Sequence, residues 1–261
     1  MKQIRALERG LAVLDSVTRA GPSSLQALAE ETELPKATLL RILLTLEAAG
    51  YVRRGLGDRL WRANVRTGPL QGNRQEIILA EVTGPVLDRL CQEILWPSDI
   101  GVYIGGTIRV LETSRRMSPF VVNRDVLTSR VHVMPSAMGR AILAWSNEAE
   151  RARIISDLSR TDDPQDVPAR DPLRVAALIA ETRAQDYATR SPSYYVRERR
   201  EAAMRAIAVP VIAGTRVIGA INLTWIHSAE PEAAFIRRHL NRLQQAAAEI
   251  ADAFVARAEG S

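Results

Sequence analysis

The sequence predicts an α+β protein in two parts, and three observations predict it. Apolar residues recur at three- and four-residue spacing through most of the first 50 positions. Strand-like alternation sets in only from Asp99 onward. The excess positive charge sits in the first quarter: residues 1–68 hold 11 Lys/Arg against 7 Asp/Glu, and residues 69–261 hold 24 against 23. A chain of 261 residues has room for two cores. Its 46% hydrophobic and 25% charged content is that of an ordinary globular protein, which excludes a disordered or fibrous class.

Ile4, Leu7, Leu11, Leu14 and Val17 predict an opening helix with that stripe turned inward and Arg5 and Arg9 elsewhere on its surface. Gly21-Pro22 breaks it. Ser23-Ser24-Leu25-Gln26 reads as a capping box, Ser23 with Gln26, opening a short second helix that runs to about Thr32. Glu33-Leu34-Pro35 turns into a third helix, in which Leu39, Ile42, Leu43 and Leu46 form the buried stripe. Lys36, Ala37, Leu40, Arg41 and Leu44 fall on its other faces, and Gly50 stops it. Tyr51–Arg54 and Arg59–Arg62 then flank the turn 55–58 as a hairpin carrying Arg53, Arg54, Arg59 and Arg62. Two short helices about a tight turn place the second in a major groove, and a basic hairpin follows the phosphates. The first 66 residues are therefore expected to be a winged helix-turn-helix, with double-stranded operator DNA as partner.

Between Val65 and Gly72 the apolar pattern lapses. Gln75–Gln92 reads as a helix bent at Gly84-Pro85, with Ile77, Ile78, Val82, Val86, Leu87 and Leu90 buried. Ile100–Ile104 and Ile108–Thr113 form a hairpin about Gly105-Gly106-Thr107. Helices follow near 138–146, 148–158 and 171–186, strands at 206–213 and 216–226, and a closing helix at 231–257. The expected domains are 1–66, a linker helix over 67–80, and a sheet with flanking helices over 81–261. In the strand 217–226, Asn222 and Thr224 are polar and point the same way. Buried polar groups need partners, either neighbouring backbone or a ligand.

The runs RALERGLAVLDSV and SSLQALAEETELPKATLLRILLTLEAAGYVRR resemble the DNA-binding domain of the IclR family of transcription regulators, and the likeness extends over essentially the whole chain. It implies that Ser24, Thr38, Arg53, Arg54 and Arg59 contact phosphate, and that Lys36, Ala37, Leu40 and Arg41 lie against bases or backbone. Family members often carry Ser at the place of Ala37 and polar residues at those of Leu40 and Leu44. An exposed Ala or Leu can instead meet a thymine methyl.

For the second domain the resemblance implies a GAF-like effector-binding fold with an antiparallel sheet. Its pocket would be formed by Ser136, Ala137, Met138 and Gly139 at a helix entry whose amides attract a carboxylate, by Met204 and Ala206, and by Asn222 and Thr224. Arg140 stands where the family usually has lysine, and Met138 is bulkier than many equivalents, which argues against a very small acid. Ala206 replaces the cysteine of some members. The stretches WPSDIGVY and IAVPV look most like the MhpR-like branch of aromatic-catabolism regulators. That implies an aromatic carboxylate, with Tyr103 and Trp96 stacking on its ring and one of Arg115, Arg116, Arg124 or Arg130 pairing with its acid group. A homodimer or homotetramer, with half-sites about one helical turn apart, is implied by the resemblance alone.

No stretch approaches the ~20 apolar residues of a membrane span, and the opening Met1–Arg5 lacks a secretory apolar core, so a cytoplasmic protein that does not enter membranes is expected. Cys91 is the single cysteine, and His132, His227 and His239 are far apart, so neither metal nor cofactor is expected. An enzyme with an appended DNA-binding domain is one alternative. It lacks support in a chain with no Gly-x-Ser-x-Gly, no phosphate-loop glycines and no histidine-carboxylate motif, where Asp162-Asp163 reads as a solvated turn. The other alternative is a scaffold whose second domain mainly oligomerises.

Overall fold

The computed structural model describes residues 4–55, 59–63, 74–115, 117–120, 130–161, 163–192, 194 and 203–259. The chain divides into two compact units, 1–77 and 78–261.

The first unit contains α1 (Arg5–Ala20), α2 (Leu25–Thr32), α3 (Lys36–Ala48) and the hairpin β1 (Val52–Arg54) with β2 (Trp61–Ala63). Its core is small: Val13, Val17, Leu28, Leu39, Leu43, Val52 and Trp61. The stripe expected to turn inward on α1 does so only in its second half: Val17 is buried and Leu14 packs on the core, whereas Ile4, Leu7 and Leu11 are 68%, 57% and 57% exposed. At 16 residues α1 runs ~24 Å, and α2, α3 and β2 all pack on it, yet the core they share reaches only its C-terminal half, from Val13 onward. The cap is corrected as well. Ser24, not Ser23, caps α2, its Oγ accepting from the Ala27 amide at 3.1 Å. Ser23 instead exchanges two backbone hydrogen bonds with Trp61, at 2.9 and 2.8 Å, which tie the hairpin to the α1–α2 connection. Fully buried Trp61 anchors it from within.

The second unit is built on an antiparallel sheet of order β4-β3-β7-β6-β5. Helix α4 (Arg74–Ile94) continues through Pro85 into β3 (Ser98–Ile104) and β4 (Thr107–Thr113). Then come α5 (Ala137–Trp145), α6 (Glu148–Ser159), a short 3-10 turn (Val167–Arg170), α7 (Pro172–Gln185), β5 (Ala188–Thr189), β6 (Met204–Ala213), β7 (Arg216–Ile226) and α8 (Glu232–Glu259). The α+β class holds, with these helices and long strands within two residues of the sequence expectation. The two-residue β5 and the 3-10 turn at Val167–Arg170 are too short to give a pattern to read.

Strand alternation sends the two faces of the sheet to different helix layers. Ile207, Val209, Ile221, Leu223 and Trp225 pack with α4 and α8, where the Trp225 and Phe235 rings stack at 3.9 Å. Residues 78–80 already belong to this core. Ala206, Ala208 and Ala220 pack on the opposite side with α5, α6 and α7. Small residues there let α5 lie close. A Cβ on Gly101 would sit 2.6 Å from Ile108 Cγ2 and 3.1 Å from Met138 Sδ, and one on Gly139 would sit 2.2 Å from the Val133 carbonyl. Cys91 is buried in α4 beside the Ser114 carbonyl, and burial raises its thiol above the ordinary value.

Candidate DNA-reading surface and effector site

In the first unit the tight turn is made by Glu33, which adopts the left-handed conformation (φ 54°) and closes α2. Pro35 immediately precedes α3, its carbonyl accepting from the Leu39 amide at 3.0 Å. With Leu39 and Leu43 buried, α3 presents Lys36, Ala37, Arg41 and Leu44 to solvent, and Thr38 at half exposure. Leu40 is different: it is half-buried and packed against the core, so it is mainly a packing residue. In the hairpin Arg53 lies opposite Arg62. The exposed Arg54 donates through Nε to the Arg59 carbonyl at 3.2 Å, and its guanidinium stands 5.7 Å from the Trp61 ring. Arg59 is exposed. The remainder of the hairpin turn, 56–58, lies outside the described residues.

On the α5 side of the sheet, most of the polar groups satisfy one another. Asp99 is wholly buried, and Arg115 grips its carboxylate with two hydrogen bonds, Nε to Oδ1 at 2.8 Å and Nη2 to Oδ2 at 2.7 Å. Thr113 Oγ1 donates to Oδ1 at 2.7 Å and Asn222 Nδ2 to Oδ2 at 3.1 Å, while Asn222 Oδ1 accepts from the Asp99 amide at 2.8 Å. Burial alone would raise the Asp99 carboxyl. The Arg115 charge and these hydrogen bonds outweigh it and hold the group below the ordinary carboxylate value.

Thr224 lies two positions along β7 from Asn222, directly opposite Ala206 and on the same face. It is 2% exposed, and among the described residues its Oγ1 has no hydrogen-bond partner. Met204 is buried two positions before Ala206. Ser136 caps α5, its Oγ accepting from Gly139 N at 3.0 Å, which leaves the Ala137 and Met138 amides as donors the helix does not use. Tyr103, half-buried, donates to Asp157 Oδ2 at 2.7 Å and accepts from the Gly106 amide at 3.0 Å. Burial and then the Asp157 bond push its phenol upward.

Several expectations change. Arg115 is held by Asp99 and is not a free anchor for an acid. Trp96 stacks on Phe120 at 4.0 Å in the α4/α8 core, the opposite face of the sheet from Thr224, so it cannot close over a ligand there. Of the remaining arginines, Arg130 is exposed, and Arg116 and Arg124 lie outside the described residues. Asp163 is not a simple solvated turn residue, since its Oδ2 meets His132 Nε2 at 2.9 Å, with the Tyr194 hydroxyl 3.2 Å from His132 Nδ1. The Asp99–Arg115 pair was missed. Its one signal was an acidic residue directly preceding the apolar run Ile100–Ile104.

Family models decide the identity. The IclR helix-turn-helix domain matches residues 6–55, and the C-terminal domain of bacterial IclR transcriptional regulators matches residues 73–252. The chain belongs to the IclR family. Among curated relatives, the HTH-type transcriptional regulator BhcR of Paracoccus denitrificans is 26% identical over 83% of this chain and 76% of its own length. XynR of Escherichia coli is 25% identical over 94% and 95%. A crystal structure of an IclR homolog from Microbacterium hydrocarbonoxydans, complexed with 4-hydroxybenzoate, superposes with TM-score 0.54 at 22% identity, over 96% of this chain and 99% of that one. This IclR-family chain is thus a transcription regulator with an N-terminal DNA-binding domain and a C-terminal effector domain, and not an enzyme. Among the described residues no helix is long and apolar enough to cross a membrane.

Proposed function

We propose that this regulator reads operator DNA through α3 and the β1–β2 hairpin, and that an aromatic carboxylate seated against Thr224 shifts its DNA affinity. The observation that carries the second part is the Thr224 hydroxyl, 2% exposed and without a partner among the described residues. Leaving such a group unsatisfied costs about 1–3 kcal/mol, which a ligand oxygen recovers. Met204 and Ala206 supply an apolar wall, the Ser136–Gly139 turn supplies the Ala137 and Met138 amides, and Tyr103 borders the same helix layer. Asn222 acts by bracing Asp99 rather than by touching the ligand. The aromatic class draws on the 4-hydroxybenzoate held by the Microbacterium homolog, and on the bulk of Met138.

On DNA, Lys36 and Arg41 reach bases or phosphates from the exposed side of α3, and Ala37 meets a thymine methyl. Thr38, Arg53, Arg54 and Arg59 hold phosphates. Ser24 Oγ uses its lone pair in the α2 cap and keeps its proton for a phosphate. We assign 1–66 to the winged helix, 67–80 to the linker and 81–261 to the effector domain, in a cytoplasmic homodimer or homotetramer. The exposed Ile4, Leu7 and Leu11 stripe of α1 supports self-association. The effector binds one arrangement of its domain more tightly, and linkage carries that preference to DNA affinity.

The test is titration of the protein on its own upstream intergenic DNA with a panel of aromatic and aliphatic acids at one salt concentration. One aromatic acid is expected to shift affinity several-fold, and Thr224→Val to remove that shift while leaving DNA binding intact. DNA binding indifferent to every acid sinks the effector reading, and absence of DNA binding sinks the α3 assignment. A monomeric mass for the DNA-bound form ends the oligomer reading.

A further inference from the structure

On the side of α5 that faces α7, an open-sided cavity of about 390 Å³ lies between the start of α5, α7, the turn at 164–168 and residues 189–191. It falls within the range of small-molecule sites. Arg140 lines it. This half-buried guanidinium donates from Nε to the Met134 carbonyl at 2.8 Å, from Nη1 to the Thr189 carbonyl at 3.1 Å and from Nη2 to Ser191 Oγ at 3.3 Å. Three of five N–H groups thus go to neutral oxygens, and one remains on each terminal nitrogen. Among the described residues no carboxylate pairs with it. Burial disfavours its charge, while Glu181, which also lines the cavity, favours it from beyond ion-pair distance.

Thr182 enters the same cavity from α7. It is 5% exposed, and its hydroxyl is hydrogen-bonded to no described residue. A half-buried cation with no carboxylate paired to it and a hydroxyl with no hydrogen bond among the described residues line one space, which a single polar ligand can complete. Gln165, Arg174 and Gln185 add further donors, so the lining suits a compact polar anion and not an aromatic ring.

We propose that this cavity is a second small-molecule site, separate from the one at Thr224, which binds the oxyanion of a small hydroxylated carboxylate or phosphate on the two remaining Arg140 N–H groups, with Thr182 bonding a further oxygen. Arg140 directly follows Met138 and Gly139, so an anion held there acts on the helix that walls the sheet-side site, and the two ligands are energetically linked through α5. The proposal stands independently of the aromatic effector.

The experiment is calorimetric titration of the full chain with tartrate and, separately, inorganic phosphate, each against sodium chloride of equal ionic strength. Saturable millimolar binding of at least one anion is expected. Tartrate alone points to a carboxylate ligand and phosphate alone to a phosphorylated one. Thr182→Val should weaken binding about fivefold, the worth of one hydrogen bond, and Thr224→Val should leave it unchanged. Arg140→Gln should abolish it, but that change also cuts three tethers, so the isosteric Thr182→Val decides. No binding of either anion, or binding lost with Thr224→Val and untouched by Thr182→Val, overturns the proposal.

Discussion

Lys36, Ala37 and Arg41 stand exposed on α3, whereas under α5 the side chains of Asp99, Arg115 and Asn222 are closed on one another. The two surfaces use opposite strategies. The surface proposed to read DNA keeps its charges exposed to water, so folding does not depend on them. The surface proposed to hold the effector builds most of its polar groups into the fold and leaves the Thr224 hydroxyl unmet among the described residues. Substitution should therefore separate binding from stability in the first unit and couple them in the second.

The largest effect expected is from Asp99→Ala, which strands a buried guanidinium and should cost about 3–5 kcal/mol in urea unfolding. A cost under about 1 kcal/mol would mean that water replaces the carboxylate and that the network is not structural. The same pair sets an acid limit. Because the Asp99 carboxyl is held below its unfolded value of about 3.9, its stabilisation is complete above that pH and is lost as pH falls through the folded value. Unfolding measured between neutral and strongly acidic pH should lose this acid-side slope in Asp99→Asn.

Smaller effects follow on either side. Ser24→Ala removes the α2 cap and should destabilise the first unit by about 1 kcal/mol. Thr224→Val should act in the reverse sense, raising stability by about 1 kcal/mol without ligand, since it deletes an unmet hydroxyl of the same shape. Lys36→Ala is expected to change stability by less than about 0.5 kcal/mol, yet reduce the salt dependence of DNA binding by about one ion. If its thermal unfolding shifted as much as that of the Ser24 variant, the division between hydrated and built-in polar groups would not hold.

Periodicity made most elements legible, because each helix and long strand buries a face with its own repeat. What it could not supply was which neighbour a face meets. The stripe Ile4, Leu7, Leu11 has helical spacing, but only where α2, α3 and β2 converge decides that α1 is covered from Val13 onward. Asn222 and Thr224 were readable as co-facing polar residues. Their different fates were not, since Asp99 and Thr113 become neighbours only through an irregularity in β3–β4 pairing between Ile100 and Gly101. Counting back evenly from the hairpin turn would set Asp99 against Glu112, a repulsive pair, and hide the network altogether.

The burial of Cys91 has a practical side. It is the only cysteine in the sequence, enclosed and with its thiol raised above the ordinary value, hence slow toward maleimides and oxidants. A cysteine placed at Arg59 or another exposed hairpin position would be the sole fast-reacting thiol in the native protein. Fluorophores or spin labels can then report hairpin motion in an otherwise unaltered chain.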